Sequence, residues 1–238
     1  MANKGGRHHL KKLSMPKSWI FQRKDRVWVA KPKPGAHALA QGLPLVIVMK
    51  ELLGLAKTTR EAKKVLNDGK ITVDGRVVKA SNFSVGLMDV IAIPSEDKQY
   101  RVFIDHKGRL VLRDAPAKEK NFKLCRVENK TTLAGKRVQI GLHDGRTLLT
   151  DKNDFVTGDV LKISVPDQKV LDYFKFAPGS TAFFVTGKHI GKIGKIKQVV
   201  EGTRQRAALI TAESGGETFS TLKNSAFVLG REKSEITV

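Results

Sequence analysis

One cysteine in the whole chain, Cys125, rules out an intrachain disulfide and any zinc site built on clustered thiolates. That usage points to a reducing, intracellular setting. Aromatic residues are scarce at 6%, so several small β-rich modules fit better than one large catalytic domain. Nowhere is there a run of about 18 apolar residues, the minimum for a membrane-spanning helix. The N-terminal region is basic and interrupted by Pro16 and glycines, unlike the apolar stretch of a signal peptide. Neither Gly-x-Ser-x-Gly nor His-Glu-x-x-His occurs, no metal-ligand spacing is present, and the histidines are scattered apart from the pair His8-His9. No catalytic residue, metal ligand or cofactor is therefore assigned. Acids are short as well: 23 Asp and Glu face 44 Lys and Arg, giving a net charge of +21 and a pI near 10.2. So large an excess repels itself unless a polyanion neutralises it. Nucleic acid is the expected partner, because each cation placed on a phosphate releases condensed counterions.

The 238 residues, 40% of them hydrophobic, suffice for more than one small core at roughly 100–200 residues per domain. Residues 1–42 read as a basic arm. Ten cations, among them Arg7, Lys11, Lys12 and Lys17, face the single acid Asp25 within residues 1–35. A segment so charged is expected to be disordered when free and to order on its partner. Both tryptophans, Trp19 and Trp28, lie in it; stacking on a base and docking into the neighbouring domain explain them equally well.

Residues 43–94 change character. PLVIVMKELLGLAKTTREAKKVLNDGK is an apolar run followed by an amphipathic one. The first part, residues 45–53, is read as helix with Pro44 at its first position. In the second, Thr58-Thr59-Arg60-Glu61 fits a capping box and Gly69 stops the helix. Ala62, Val65 and Leu66 share one face, while Lys57, Arg60, Lys63 and Lys64 form a basic stripe elsewhere. Downstream, Asp74-Gly75 between β-branched runs is a hairpin signal, with Gly75 as the turn glycine, and residues 90–93 supply another strand.

The string TREAKKVLNDGKITVDGRVVKASNFSVGLMDVIAI resembles the alpha-L RNA-binding module shared by ribosomal proteins, pseudouridine synthases and some transfer-RNA synthetases. The resemblance implies that Arg60, Lys63, Lys64 and Arg76 face RNA. Gly86-Leu87-Met88-Asp89 departs from the pattern, since many members have glycine followed directly by aspartate, so a different last turn is expected there.

Residues 95–174 alternate short β patterns with glycine turns at His106-Lys107-Gly108 and Asp144-Gly145, as in a compact barrel or sandwich. The run DQKVLDYFKFA, bracketed by Pro166 and Pro178, reads as a linker with one helical turn. In residues 175–238 the stretch TGKHIGKIGKI stands out. A nucleotide-binding loop needs Gly-Lys followed by Ser or Thr, and here Ile196 follows Gly194-Lys195. Flanked by β patterns, FFVTGKHIGKIGKI instead resembles the KOW motif, a small SH3-like barrel of ribosomal proteins and elongation factors. By that resemblance Gly187, Gly191 and Gly194 are structural, and Lys188, His189, Lys192 and Lys195 are candidate RNA contacts.

The arm HHLKKLSMPKSWIFQRK, a two-helix module with an antiparallel sheet, a β-rich centre and a C-terminal barrel make an α+β multi-module chain. In that order they resemble the small-subunit ribosomal protein four family of the archaeal and eukaryotic type. The length without a further C-terminal extension fits the archaeal form. The resemblance implies a non-catalytic role in the cytoplasmic ribosome, with small-subunit ribosomal RNA (16S-type) and neighbouring small-subunit proteins as partners. Neither a membrane nor a small-molecule substrate is implied. Arg7, His8, Lys11, Lys12, Lys17 and Trp19 of the arm are then further RNA-contact candidates. Two rivals remain: a pseudouridine synthase, which needs a large catalytic domain with a catalytic aspartate, and a transcription elongation factor, which has other N-terminal domains.

Overall fold

The computed structural model describes residues 9–150, 154–203 and 206–237, so Arg7 and His8 lie outside the described residues. From residue 9 onward the arm is folded onto the body. Strand β1 (Leu10–Lys11) pairs antiparallel with β2 (Trp28–Val29), Leu10 opposite Val29 and Lys11 opposite Trp28. Between them, Met15 and Trp19 sink into the core, and the Trp19 indole N–H donates to the Gly42 carbonyl at 3.0 Å. Trp19 is 3% exposed, so the tryptophan expected to meet RNA is a docking residue with no free ring face. Lys12 is likewise buried and ion-paired with Asp25. For residues 9–42 the expectation that the arm is disordered when free gives way for the same reason: its apolar residues have a core to enter.

In β3 (Gly42–Pro44) and the helical segment after it, α1 (Leu45–Ile47) continuing as a π turn (Val48–Leu52), residues 42–49 are all buried. Pro44 ends β3 and stands just ahead of the helix rather than at its first helical position. Helix α2 (Thr59–Asn67) carries the capping box: the Glu61 N–H donates to Thr58 Oγ1 at 3.2 Å, and the Thr58 N–H to Glu61 Oε2 at 3.3 Å. Gly69, with φ +72°, follows it. Strands β4 (Thr72–Val73) and β5 (Arg76–Val77) form the hairpin, turned by Asp74 and Gly75, both with positive φ. Then come β6 (Ser84–Gly86), paired with β3, and β7 (Val90–Ile93). The sheet does not stop near residue 94. Strands β8 (Lys98–Ile104) and β9 (Leu110–Asp114) extend it in the order β5-β4-β7-β8-β9, so pairing crosses the expected module boundary.

The central sheet, ordered β12-β11-β10-β13-β14, is built from β10 (Phe122–Thr132), β11 (Val138–Leu142), β12 (Thr147–Thr150), β13 (Val160–Ser164) and β14 (Val170–Phe174). Strand β14 replaces the expected linker turn. Its register sets Phe174 opposite Val160, both buried, which a single helical turn could not do. The last sheet, a half-barrel ordered β18-β17-β16-β15-β19, comprises β15 (Thr181–Phe184), β16 (Ile193–Val200), β17 (Leu209–Ser214), β18 (Glu217–Leu222) and β19 (Ala226–Gly230). The chain is thus mostly antiparallel sheet with two short helices. One apolar cluster runs from Met15 and Trp19 through Leu66 and Phe103 to Phe183 and Leu229, so arm, two-helix module and half-barrel share a core. The Phe103 and Phe183 rings meet edge-on at 6.0 Å between centroids.

Charge also crosses the modules. Lys123 on β10 is 1% exposed and stands among three carboxylates: Asp74 at 2.9 Å, Asp144 at 3.0 Å, and Asp89. Asp74 Oδ2 also receives Arg146 at 2.6 Å, and its Oδ1 accepts the Val90 N–H at 3.0 Å. Asp89 Oδ2 accepts from the Gly86 N–H at 2.8 Å and lies 2.9 Å from His37 Nε2. The network therefore ties arm, hairpin, last turn of the two-helix module and central sheet. Burial pushes the Asp89 carboxyl up, but Lys123 and His37 outweigh it and hold the group well below the usual range. Burial likewise opposes the charge on Lys123, yet Asp89 and Asp74 raise its pKa well above the ordinary value.

His143 sits at the same junction. Its Nδ1 accepts the Arg126 N–H at 3.2 Å, its Nε2 faces the Leu87 carbonyl at 3.3 Å, and its ring meets Phe227 edge-on at 5.4 Å. With Nδ1 an acceptor, the ring is the neutral Nε2–H tautomer. Burial, with Lys123 adding to it, lowers its pKa from 6.5 to about 3. Unfolded chain takes up a proton that folded chain refuses between those values, so this contribution to stability is complete above pH 6.5 and declines as pH falls towards 3. Denaturant titrations from pH 8 to about 3 are expected to show that decline, and His143→Gln to flatten it. A second expectation concerns Gly191, where φ is +79° and an added Cβ would stand 2.6 Å from His106 N. Gly191→Ala should cost about 2–4 kcal/mol in an equilibrium melt, combining left-handed strain with a backbone clash.

Candidate nucleic-acid interface

Helix α2 presents its cations because its apolar stripe is used inward. Ala62 and Leu66 are fully buried and Val65 partly so, while Lys57, Arg60, Lys63 and Lys64 are exposed. Its one exposed acid, Glu61, is spent on the backbone: Oε2 accepts the N–H groups of Lys57 at 2.9 Å and Thr58 at 3.3 Å. Those N–H bonds, that from Lys57 foremost, hold the Glu61 carboxyl below its ordinary pKa. An anion fixed at the helix N-terminus also complements the helix dipole. The remaining exposed side is basic, which is what backbone phosphates require.

The hairpin extends this surface. A Cβ on Gly69 would lie 3.4 Å from Val77 Cγ1, so the strand carrying Arg76 leans on the end of α2, and Arg76 is exposed. On the other side, the β1–β2 ribbon borders the start of the helix: Arg26, Trp28, Lys50 and Thr59 line one cleft. Lys11 and Lys17 are exposed, whereas Lys12 and Trp19 are not. The fold therefore brings the exposed side of the arm, α2 and the β4–β5 hairpin together.

The glycine-rich stretch stands on a different module. Residues 185–192 join β15 to β16 and lean on the turn at His106 through Gly191. Gly187 has positive φ, and Gly194 in β16 faces the Glu213 carbonyl, 2.6 Å from where a Cβ would be. Lys188, Lys192 and Lys195 are exposed. His189 is stacked on Phe219 at 3.9 Å with rings 20° apart. Lys192 comes to 3.9 Å of Glu217, a loose surface pair of little energetic consequence.

Spacing in the sequence hides one cluster with ligand chemistry. Cys125, His143 and Asp144 bring one donor atom each within 4.8 Å of one another. These donors are already committed. His143 Nδ1 holds the Arg126 N–H, Asp144 Oδ2 meets Lys123 at 3.0 Å and Arg146 at 3.1 Å, and burial pushes the Cys125 thiol well above its usual pKa. An ammonium thus occupies the place where a metal cation would be attracted, and the cluster belongs to the internal ion network. Among the described residues no helix is long and apolar enough to cross a membrane.

Comparison with known proteins gives this surface its context. The RS4NT (NUC023) domain matches residues 4–40, the S4 domain residues 43–91 and the Ribosomal family S4e residues 96–170. The small ribosomal subunit protein eS4 of Methanosphaera stadtmanae is 42% identical over 240 residues, covering 100% of this chain and 98% of its own length. That of Methanocaldococcus jannaschii is 39% identical, covering 98% of each chain. The crystal structure of the 30S ribosomal protein S4e from Thermoplasma acidophilum superposes with a TM-score of 0.70 at 36% identity, over 80% of this chain and 95% of that one. With relatives this similar along its whole length, the chain belongs to the ribosomal S4e family.

Proposed function

We propose that this protein is a structural, non-catalytic constituent of the small ribosomal subunit, where it binds the 16S-type ribosomal RNA and supports subunit assembly and translation. The observation that carries the reading is the acid-depleted face of α2, Arg60, Lys63 and Lys64, in the S4 domain of a chain of net charge +21. Phosphate contacts from α2, Arg76, Arg7, Lys11 and Lys17 position the protein, and the folded modules recognise the shape of structured RNA. His8 joins the same arm, while Lys12 and Trp19 serve the arm's own fold. The modules divide as arm 1–42, alpha-L module 43–94, central β domain 95–174 and C-terminal barrel 175–238, with β8 and β9 of the third segment completing the sheet of the second. In that division the half-barrel acts as an SH3-like, KOW-type module, with Lys188, His189, Lys192 and Lys195 as a second RNA contact. Neighbouring small-subunit proteins complete the environment in the cytoplasmic ribosome, and no cofactor takes part.

Arg60→Ala combined with Lys64→Ala is expected to weaken binding to a small-subunit RNA transcript and to flatten the log–log salt dependence by about two, near 0.9 per lost phosphate contact. An unchanged slope would remove α2 from the interface. For the wider reading, density-gradient profiles of cell lysate should place the protein in the small-subunit fractions; its absence from them would defeat the assignment. A pseudouridine synthase would instead require a modification missing from total RNA of a deletion strain.

A further inference from the structure

The arm's two tryptophans have opposite fates. Trp19 is 3% exposed and packed in the core, whereas Trp28 is 54% exposed. The β1–β2 ribbon explains the difference by its period of two: Leu10 and Val29 pack against the core, so their neighbours Lys11 and Trp28 point outward as a cross-strand pair. Lys11 Nζ hangs 5.9 Å from the Trp28 ring centroid, and His9 meets the ring edge-on at 5.1 Å. Beside this pair, Leu13 and Val27 are exposed to 67% and 64%. They share a shallow depression with Lys11, Arg23, Lys24 and Arg26, whose one acid, Asp25, is paired with Lys12. A large aromatic left out of a core is informative where a lone exposed aliphatic is not.

Charge decides what covers this patch. An apolar protein segment gains nothing from four surrounding cations, whereas an unpaired nucleotide brings a flat π face for the indole and a phosphate for the rim. The site is also continuous with the α2 surface, since Trp28 and Thr59 line the same cleft. We propose that Trp28 is a stacking platform for one unpaired base of the bound RNA, with Lys11 and the neighbouring arm cations holding that nucleotide's phosphates. The proposal rests on the RNA-binding reading given above and names a residue within it.

The test uses the full chain and a transcript of the small-subunit RNA. Trp28→Ala should weaken binding roughly five- to a hundredfold, the range for one lost stacked base, with the salt slope of the unaltered protein because no phosphate contact is removed. Trp28→Phe should restore most of the affinity. Indole emission should drop when RNA is added to the unaltered protein and stay constant in Trp28→Phe, where only the buried Trp19 remains. Affinity unchanged in Trp28→Ala overturns the proposal and leaves the exposed patch to a protein partner. A loss accompanied by a shallower slope also overturns it, because Trp28 would then merely place Lys11. If Arg60→Ala with Lys64→Ala impairs binding while Trp28→Ala does not, the RNA reading stands and only the stacking platform falls. Failure of the unaltered protein to bind the transcript defeats both.

Discussion

Three aspartates around one buried ammonium hold the parts of this protein in register. Asp74 comes from the turn of the β4–β5 hairpin, Asp89 from the turn before β7, Asp144 from the turn between β11 and β12, and Lys123 from β10. No element supplies both signs of this charge except the central sheet, so the network is complete only when the two-helix module has docked on that sheet. Buried ion clusters add little over apolar packing of the same volume, yet removing one partner strands a charge at about 3–5 kcal/mol. The consequence is selectivity for one arrangement of the modules. His37 brings the arm into the same cluster through Asp89, and Gly86 must be glycine there because a Cβ would run into the His37 ring.

The same network shapes the outer surface by withdrawing acids from it. Asp74, Asp89 and Asp144 are turned inward on Lys123; outside that network, the exposed Asp25 is paired with Lys12 and the exposed Glu61 is spent on capping α2. Glu119 is turned in as well, its Oε1 accepting from the Thr237 N–H and hydroxyl at 2.9 Å. What faces outward from the arm, α2 and the hairpin is therefore more basic than the composition alone requires. A polyanion brought to this face would meet cations with little competing repulsion, and residues already held by the fold beneath them would lose less entropy on binding.

Local signals were legible where the physics is local. The capping box at Thr58 and Glu61, the stop at Gly69 and the Asp74-Gly75 hairpin all appear where their residue chemistry places them, since each is settled within four or five residues. Strand β14 is not legible in VLDYF itself, because a strand is judged by its partner: pairing with β13 sets Phe174 opposite the buried Val160. Pairing of β7 with β8 across residue 94 escaped for a related reason, as composition marks a change of segment but not which edge the next strand joins. The turn at Gly86-Leu87-Met88-Asp89 stands out in the sequence as a departure, yet what it does, delivering Asp89 to Lys123, depends on a residue 34 positions away.

Charge, capping and turn chemistry were thus settled by the chain's own order of residues, and with them the basic helix and its polyanionic partner class. The fate of each tryptophan was not. Trp19 and Trp28 lie in the same basic segment with similar neighbours, and what separates them is a carbonyl at Gly42 and a pairing with Lys11. Which side of a two-residue ribbon faces inward depends on the surface it lands on, and that surface is assembled from residues far along the chain. Burial is a property of the assembled core, so only the tertiary structure could tell the docking tryptophan from the exposed one.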